Sequence, residues 1–410
     1  MPFRPYERER DREAAHRIWR EVGWLPPGRE EQFERYVACG RALVADAHGQ
    51  AECLVLTAPG RMRYLDEDLP ISCVTGVTTG RVARKQGLAG ALAARALAAD
   101  AAEGMLVSAL GMFEQGYYNQ LGFGTGGYEH HVAFDPAHLQ VPERHRVPRR
   151  LTVDDWEAVH AARLARRRAH GGVNLHCADI TRSDMDSDGS EEAFGLGYAD
   201  GPAGELTHCA WCRTTGAEHG PYRLELVWRT GAQLRELLAL VRSLGDQVHL
   251  VKMREPAGVQ MQDLLRQPIK HRSVTQRSDY ESSNHALAYW QARILDLPGC
   301  LARTHLECPP LRLNLRLSDP VAAFLEGEEG WRGVEGHYVV TLGAEGGCEP
   351  GEDASLPTLE ASVGAFTRLW LGVRPASGLA ITDDLRAPDA LLASLDAALR
   401  LPDPRPDWDF

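Results

Sequence analysis

The sequence lacks long apolar runs and has no excess of positive charge, and each absence excludes a class of protein. No uninterrupted apolar run approaches the roughly 20 residues that a membrane span needs. The first fifteen residues, "MPFRPYERERDREAA", are charged rather than signal-like. A formal net charge of −12 argues against a broad face that binds nucleic-acid phosphates. We therefore expect neither a membrane protein nor a nucleic-acid binder.

The nine cysteines are scattered and odd in number, and most lie in apolar contexts such as "ISCVTG". This usage is typical of reduced thiols in the cytoplasm rather than of a disulfide framework. Together with the charged N-terminus and the missing apolar runs, it predicts a cytoplasmic protein.

The sequence also lacks the common catalytic and metal-binding motifs, including G-x-S-x-G, H-E-x-x-H, the Walker A loop and G-x-G-x-x-G. Segment 184–195, "DMDSDGSEEAFG", has the spacing of half a calcium loop, but Gly195 stands where a bidentate Glu is needed. In "HCAWC", Cys209 and Cys212 lie three residues apart, which on a strand places them on opposite faces. We therefore predict no metal site.

A chain of 410 residues predicts two or three domains. Alternating helical and strand patterns predict a mixed α/β domain over 1–140. A second strand–helix–strand pattern, "YRLELVW", "TGAQLRELLALVRSLG" and "VHLVKM", predicts a similar domain over 148–290. The alternating leucines of "LRLNLRL" and the helices after them predict a small α+β domain over 295–410, closed by the tail "LPDPRPDWDF".

One turn carries a chemical signal. In "VTTGRVARKQGLAGAL" a β-branched strand passes through Arg84, Lys85 and Gly87 into an alanine-leucine helix. A helix start presents unpaired N–H groups, and a glycine there permits close backbone approach, so the turn suits a pyrophosphate. A basic helix start after a strand is also common without any ligand, and the hexapeptide alone leaves both interpretations open.

The hexapeptide "RKQGLA" resembles the Gln/Arg-x-x-Gly-x-Gly/Ala turn of the GCN5-related N-acetyltransferases (GNAT). The stretch "FEQGYYNQLGFGTGGYEHHVAF" is similar to that of their enhanced intracellular survival (Eis) subfamily, as are the three-domain layout and the final Phe. The resemblance implies a mixed α/β fold: an acetyl-CoA-binding GNAT domain, a GNAT-like domain without the cofactor motif, and a domain resembling sterol carrier proteins. It also implies acetyl-CoA as co-substrate, contacted by the following residues: Val77, Thr79, Arg84, Lys85, Gly87, Leu88, Ala89 and Glu114.

The resemblance also implies catalytic roles. Matching "YNQLGFG" places Tyr118, rather than its neighbour Tyr117, as the general acid that protonates the leaving thiolate, although a buried structural tyrosine is the alternative. The α-carboxylate of Phe410 takes the place of the base, although the aromatic tail could merely dock on the protein. Asp409 would add negative charge near a cationic acceptor. Trp24 is expected either at the acceptor pocket or in the core.

The predicted function is acetyl transfer from acetyl-CoA to a primary amine of a small polycationic molecule or of lysine. Relatives assemble as hexamers, so the resemblance implies a homo-oligomer. Two other hypotheses stay open. One is a non-catalytic CoA- or lipid-binding protein on the same scaffold. The other is a nucleotide-phosphate enzyme, for which an acidic Mg²⁺ partner is missing beside the Arg84 turn.

Overall fold

The computed structural model describes residues 3–186, 192–214, 218–267, 269 and 275–409. The chain forms two compact units. Unit 1 comprises Met1–Gly127, His170–His176 and Ala288–Phe410, and unit 2 comprises Tyr128–Ala169 and Cys177–Leu287. Among the described residues, every helix is too short or too polar to cross a membrane.

Ten α-helices lie within the described residues. In chain order they are α1 Arg8–Glu21, α2 Glu30–Val37, α3 Leu88–Ala102, α4 Trp156–Leu164, α5 Ala178–Met185, α6 Gly231–Ser243, α7 Leu297–Leu301, α8 Val363–Trp370, α9 Ala376–Thr382 and α10 Asp389–Ala398.

Twenty β-strands lie within the same residues. They are β1 Phe3–Pro5, β2 Arg41–Ala47, β3 Gln50–Tyr64, β4 Glu67–Thr79, β5 Val107–Gly111, β6 Gly124–Thr125, β7 Glu129–Phe134, β8 Arg149–Leu151, β9 Val173–Leu175, β10 Glu192–Tyr198, β11 His208–Thr214, β12 Tyr222–Val227, β13 Val251–Arg254, β14 Ser283–Leu287, β15 Trp290–Ile294, β16 Leu311–Ser318, β17 Gly336–Leu342, β18 Gly347–Pro350, β19 Thr358–Ser362 and β20 Leu385–Arg386.

Unit 1 contains an eight-stranded sheet in the order β1-β2-β3-β4-β5-β15-β6, with β9 added against β3. Alternate residues of β3 face opposite sides, as the strand period requires. Cys53 and Val55 pack with α3, whereas Leu54 and Leu56 pack with Trp19 of α1 and with α2. The sheet is therefore covered by helices on both faces.

Unit 1 also contains a five-stranded sheet, β18-β17-β16-β19-β20. As the alternation in "LRLNLRL" predicts, Leu313, Leu315 and Leu317 are all buried. Strand β16 pairs antiparallel with β17 and parallel with β19, and helix α8 begins directly after β19 with Ser362 as its cap. This sheet and its helices are a further α+β layer within unit 1.

Unit 2 is built on a seven-stranded sheet, β14-β7-β13-β12-β11-β10-β8. Strands β12 and β13 are parallel and are joined by α6, which buries Leu234, Leu237 and Leu238 against the sheet. This is the predicted second strand–helix–strand element.

One sequence-based expectation is wrong and another is confirmed in part. The pattern of "AECLVLTA" and "RMRYLD" predicts two strands with a turn between them, but β3 runs unbroken through Pro59 and Gly60. There β9 pairs with β3 so closely that a Cβ on Gly60 would stand 2.2 Å from the Asn174 carbonyl oxygen. Seven cysteines are free, namely Cys53, Cys73, Cys209, Cys212, Cys300, Cys308 and Cys348. The expectation of reduced thiols is confirmed for these seven only.

Candidate active site

The candidate site lies where β4 and β5 part. The two strands are parallel and pair only from Ile71↔Val107 to Val74↔Leu110. Beyond Val74, β4 continues to Thr79 without a partner on the β5 side among the described residues. The Thr75 carbonyl accepts from the Tyr36 hydroxyl, and the other backbone groups that do not pair with β3 are open to an extended polar ligand, as they are at any unpaired strand edge.

A bulge marks the point where the strands part. Leu56 pairs with Gly76 and Thr57 with Val74, so Thr75 is an extra residue on β4. Such bulges bend a strand and often lie beside functional sites. The space at Gly76 is tight, because a Cβ there would stand 3.2 Å from the Leu56 side chain and 3.4 Å from Trp19.

Val77 and Thr79 lie on the unpaired part of β4, as the cofactor prediction requires. Val77 is half-buried against the α3-side core, and the Thr79 hydroxyl donates to the Cys53 sulfur at 3.4 Å. Burial raises the pKa of the Cys53 thiol to about 11, so this cysteine stays protonated and is not a nucleophile.

The turn after β4 provides no side-chain acceptor for the first N–H groups of α3. Gly87 stands at the N-cap with φ +77°, and no side chain caps the helix. Lys85 also has positive φ, +60°, which is uncommon for a residue with a Cβ. A left-handed residue next to a right-handed one, such as Gly87 before the helical Leu88, turns successive N–H groups to one side, the geometry of an anion-binding nest.

The side chains of this turn divide by role. Leu88 is buried in the core and Ala89 packs beside it, so the helix start is anchored while its N–H groups stay free. Arg84 and Lys85 are exposed and form no ion pair with any residue in the described part of the chain. Two free cations therefore flank an uncapped helix start, as an anionic ligand requires.

Tyr118 is the first residue of a short 3₁₀ helix, Tyr118–Leu121, which packs against α3. Its side chain is buried, and no described residue forms a hydrogen bond with its hydroxyl. Burial, with a smaller contribution from Tyr117, raises the pKa of Tyr118 well above its usual range. The phenol is therefore protonated at neutral pH and has a proton to donate.

The loop before this helix gathers aromatic rings. The Phe113 ring centroid lies 6.1 Å from those of Tyr117 and Tyr118, and Phe113 is 71% exposed. Burial raises the pKa of Tyr117, helped by the nearby Cys53 and Glu114. Because Cys53 is the strand partner of Thr79, Tyr117 lies near the open end of β4.

Glu114 lies in the same loop and is exposed. The sequence predicts a short helix over 114–120, but the structure has only the 3₁₀ helix from Tyr118 to Leu121. Glu114 is therefore not at a helix start.

The C-terminal tail runs toward this loop. The Arg405 N–H donates to the His170 carbonyl at 2.9 Å, and the Pro406 carbonyl accepts from Val173 at 2.8 Å. Trp408 is fully buried, and its carbonyl accepts from the Tyr289 hydroxyl at 3.3 Å. Asp409 is exposed, and Phe410 lies outside the described residues.

Tyr289 joins the tail to β5. Its carbonyl accepts from the N–H of Met112, the residue directly after β5, at 2.7 Å. Residue 408 is thus one side chain away from the end of β5 where the two strands part.

Trp24 lies in the connection between α1 and α2 and is 49% exposed. Its ring packs edge-to-face on Trp19 at 5.5 Å, and Trp19 contacts Tyr36. The Tyr36 hydroxyl donates to the carbonyl of the bulge residue Thr75 at 3.1 Å. The exposure of Trp24 favours a surface role over a core role.

Possible metal ligands gather at one place among the described residues, Asp200, His208 and Glu236 of unit 2. Arg146 contacts both carboxylates, at 2.7 Å from Asp200 and 2.8 Å from Glu236. Cys209 and Cys212 pack in different core clusters on opposite faces of β11. Asp188 and Gly189 of the acidic segment lie outside the described residues.

Comparison with known proteins agrees with this geometry. Residues 3–126 match the family model of the acetyltransferase (GNAT) domain. The N-terminal part of the chain is therefore similar to GNAT acetyltransferase domains, whose chemistry is acyl transfer. By sequence, no curated protein matches the chain.

Solved structures resemble the whole chain at low sequence identity. A protein of unknown function from Enterococcus faecalis, described as a probable N-acyltransferase, has a TM-score of 0.79 and 18% identity over 100% of this chain and 99% of its own. A GCN5-related N-acetyltransferase from Anabaena variabilis has 0.79 and 13% over all of both chains. Eis1 from Mycobacterium abscessus has 0.77 and 15%, also over all of both chains. The predicted fold class is confirmed: mixed α/β, with tandem GNAT-type domains and a further α+β region.

Sequence reasoning missed several residues of this site. The bulge at Thr75 was signalled by Gly76, because a glycine inside a strand often marks one. Tyr289, which holds the tail, and Trp19, which packs on the bulge, carry no local signal, since their partners are distant in sequence.

Proposed function

We propose that this chain is an acetyl-CoA-dependent N-acetyltransferase. The acetyl group would pass to a primary amine of a small polycationic acceptor or of a lysine side chain. The observation that carries the proposal is the uncapped helix start at Gly87 beside the unpaired end of β4, with the protonated Tyr118 held by α3. The helix start suits a pyrophosphate, the unpaired strand edge suits a pantetheine arm, and the phenol suits a leaving thiolate.

In this proposal the free N–H groups of Gly87, Leu88 and Ala89 hold the pyrophosphate, with Arg84 and Lys85 supplying positive charge. The backbone of Val77 and Thr79 pairs with the amides of the pantetheine arm, which extends along β4. Glu114 orients the loop over the cofactor.

Tyr118 would act as the general acid. The amine nitrogen attacks the thioester carbonyl, the carbon–sulfur bond breaks, and the departing thiolate takes the phenolic proton. The raised pKa of Tyr118 keeps that proton in place until the sulfur carries charge.

The α-carboxylate of Phe410 would accept the amine proton, directly or through a water. The supporting observation is the course of the tail, which Tyr289 holds at residue 408 beside the end of β5. Asp409 and the half-exposed ring of Trp24 would attract a cationic acceptor, by charge and by cation–π contact respectively.

We further propose that the protein is of the Eis-like type, as the resemblance of motifs and layout implies. It would have three domains, at 1–140, 148–290 and 295–410, the third similar to sterol carrier proteins. It would assemble as a homo-oligomer, a hexamer as in its relatives. A cytoplasmic location is inferred from composition. We propose no metal, nucleic-acid or membrane partner.

Thiol release from acetyl-CoA, measured with a panel of polyamines and aminoglycosides, tests the proposal. The native chain is compared with one ending at Asp409 and with Phe410→Ala, which keeps a terminal carboxylate without the ring. Loss of turnover in the truncated chain, partial activity in Phe410→Ala and unchanged acetyl-CoA affinity would support the terminal base. Equal turnover in all three chains would leave an enzyme without it. Tight acetyl-CoA binding without turnover on any amine would favour the non-catalytic binding protein.

A further inference from the structure

A fully buried ion pair stands behind the Tyr118 helix. Arg293 of β15 and Asp319, which follows β16, are both 0% exposed, and Arg293 Nη2 lies 2.6 Å from Asp319 Oδ2. Burial lowers the pKa of Arg293 while Asp319 opposes that effect, and a guanidinium remains charged under such conditions. Pairs of this kind often add little stability over apolar side chains of similar volume, so stability alone does not explain this one.

The guanidinium reaches the Tyr118 helix directly. Arg293 Nη1 donates to the carbonyl of Leu121, the last residue of the 3₁₀ helix, and Arg293 Nε donates to the Ile294 carbonyl at 3.3 Å. Each guanidinium nitrogen of Arg293 therefore has a partner: Nη2 pairs with Asp319, Nε with Ile294 and Nη1 with the end of the Tyr118 helix.

Asp319 is in turn fixed by the five-stranded layer. Its Oδ2 accepts from the Val334 N–H at 2.9 Å and its Oδ1 from the Val321 N–H at 3.2 Å. Asp319 caps the 3₁₀ helix Pro320–Phe324, which packs against both α3 and the Tyr118 helix. The five-stranded layer, which is the C-terminal layer of unit 1, is thus connected to the end of the Tyr118 helix through the Asp319 carboxylate and Arg293.

The residue that follows this helix end is tightly packed. Gly122 follows Leu121 with φ +81°, and a Cβ there would stand 2.8 Å from Arg293 Nη1 and 2.6 Å from Val363 Cγ1. The guanidinium also lies over an aromatic ring, since Arg293 Cζ is 5.1 Å from the Trp331 ring centroid.

We propose that Arg293 and Asp319 are positioning residues for Tyr118, an inference that rests on the proposed acetyl transfer. Because no described residue holds the Tyr118 hydroxyl by a hydrogen bond, the position of the phenol depends on the packing of its ring and on the backbone of its helix. The Arg293–Leu121 hydrogen bond fixes that backbone one turn after Tyr118. The C-terminal layer therefore contributes to catalysis through the geometry of the acid rather than through a contact with substrate.

A double-mutant cycle tests the proposal. Arg293→Lys keeps the charge but loses the planar fork that reaches Asp319 and Leu121 together. We expect it to lower kcat about tenfold or more, since small misplacements of a reacting group are costly, with KM for acetyl-CoA within about twofold. In a Tyr118→Phe background the same change should cause no further loss, because its effect acts through the phenol. Equal losses in both backgrounds would overturn the proposal.

Arg316→Lys is the matched control. Arg316 belongs to the same layer and pairs with Glu352 and Glu360 at the surface, so its replacement should leave kcat within about twofold of the native value. The double variant Arg293→Met/Asp319→Asn leaves no buried charge unpaired. It should fold and show the same loss of kcat as Arg293→Lys.

A measurement without turnover separates this proposal from the proposed function. Carbon-13 labelling at tyrosine Cζ, assigned with Tyr118→Phe, follows the ionisation of Tyr118 directly. Arg293→Lys should lower the raised pKa of Tyr118 toward the usual value of about 10. If that pKa and the resonance stay unchanged, the positioning role is wrong even if the enzyme is active. If they change in a chain that acetylates no amine, the positioning role holds and the proposed function fails.

Discussion

Two helices of this molecule start at equivalent points of a strand–helix–strand element, but only one has side-chain acceptors for its first N–H groups. Helix α3 of unit 1 follows β4 and begins at an uncapped glycine with positive φ. Helix α6 of unit 2 follows β12 and begins at Thr230 with a complete capping box. Thr230 Oγ1 accepts from the Gln233 N–H at 3.3 Å, and Gln233 Oε1 accepts from the N–H groups of Arg229 and Thr230 at 2.8 and 3.2 Å.

The difference shows how similar elements can differ in function. A helix start needs acceptors for its N–H groups, and side chains or ligands can supply them. In unit 2 the chain supplies its own acceptors, so no anion is needed. In unit 1 it supplies none, and Arg84 and Lys85 beside the turn are unpaired within the described residues. The open start of α3, with these two cations beside it, therefore supports the proposal that unit 1 binds the anionic ligand.

The largest effect should come from removing the proposed acid beside the open helix start of unit 1. Tyr118→Phe keeps the ring and its packing but removes the proton, so kcat should fall about 100-fold, the usual scale for general acid catalysis. Acetyl-CoA affinity should stay within about twofold. Thiol release gives kcat, and calorimetric titration gives the dissociation constant.

Tyr117→Phe is the control, because the two rings are neighbours and only one is assigned the proton. It should retain most of the activity; a larger loss in Tyr117→Phe than in Tyr118→Phe would move the assignment by one residue. With native Tyr118, the alkaline fall of kcat should come above pH about 10, since burial raises the pKa of the group that must stay protonated.

The next effect should come from straining the helix start itself. Gly87→Ala forces φ +77° on a residue with a Cβ, at a cost of roughly 1 kcal/mol. Apart from residue 87 and its two chain neighbours, no described atom lies within 4 Å of the new methyl, so the effect comes from strain in the proposed pyrophosphate turn rather than from a clash. KM for acetyl-CoA should rise about tenfold, a loss of about 1.4 kcal/mol in binding, with kcat little changed.

Gly231→Ala is the same change at the first residue of α6. There the new Cβ would meet only Arg235 Nη1 at 3.6 Å, an ordinary contact. KM should remain within about twofold and the helix should gain slightly in propensity. A similar rise of KM in both variants would show that the two helix starts do not differ in function.

Local sequence patterns predicted single helices, strands and turns better than the long-range contacts that complete them. The strand period of "LRLNLRL", the "TGAQLRELL" helix and the strand-to-helix turn at Arg84 depend on neighbouring residues, and each is confirmed as an element. The unbroken β3 through Pro59 and Gly60 was missed because β9, more than 100 residues away, pairs there. Arg293, an arginine within the apolar run "WQARILDL", hinted at a buried charge, but its partner Asp319 could not be inferred from spacing.

Charged residues of unit 2 should affect the free energy of unfolding, whereas those of the α3 turn should affect acetyl-CoA binding. Glu236 of α6 accepts from Arg146, chiefly through a side-chain hydrogen bond that lowers the pKa of Glu236 to about 2. Because the folded pKa is depressed, this stabilisation is present above the unfolded value of about 4.3 and is lost as pH falls toward 2. Glu236→Gln should cost about 1 kcal/mol at pH 7, since the partner Arg146 is half-exposed and screened.

Urea unfolding of native protein and variant between pH 2 and 7 measures that difference, which should shrink below pH about 4. Glu218→Gln serves as the control, because Glu218 is exposed in unit 2 and forms no ion pair with a described residue. A pH-independent difference for Glu236→Gln would mean that packing, not charge, explains its effect.

The smallest effect should come from opening the cap of α6. Thr230→Ala removes one acceptor and should lower the stability of the helix by about 1 kcal/mol, seen as faster hydrogen exchange in the first turn of α6. Acetyl-CoA affinity should not change, because this helix start has no ligand to lose. If the freed N–H groups of Thr230→Ala bind inorganic pyrophosphate, capping alone separates the two helix starts. If they do not, Arg84 and Lys85 are also required, and the function of unit 1 depends on its charges as much as on its missing cap.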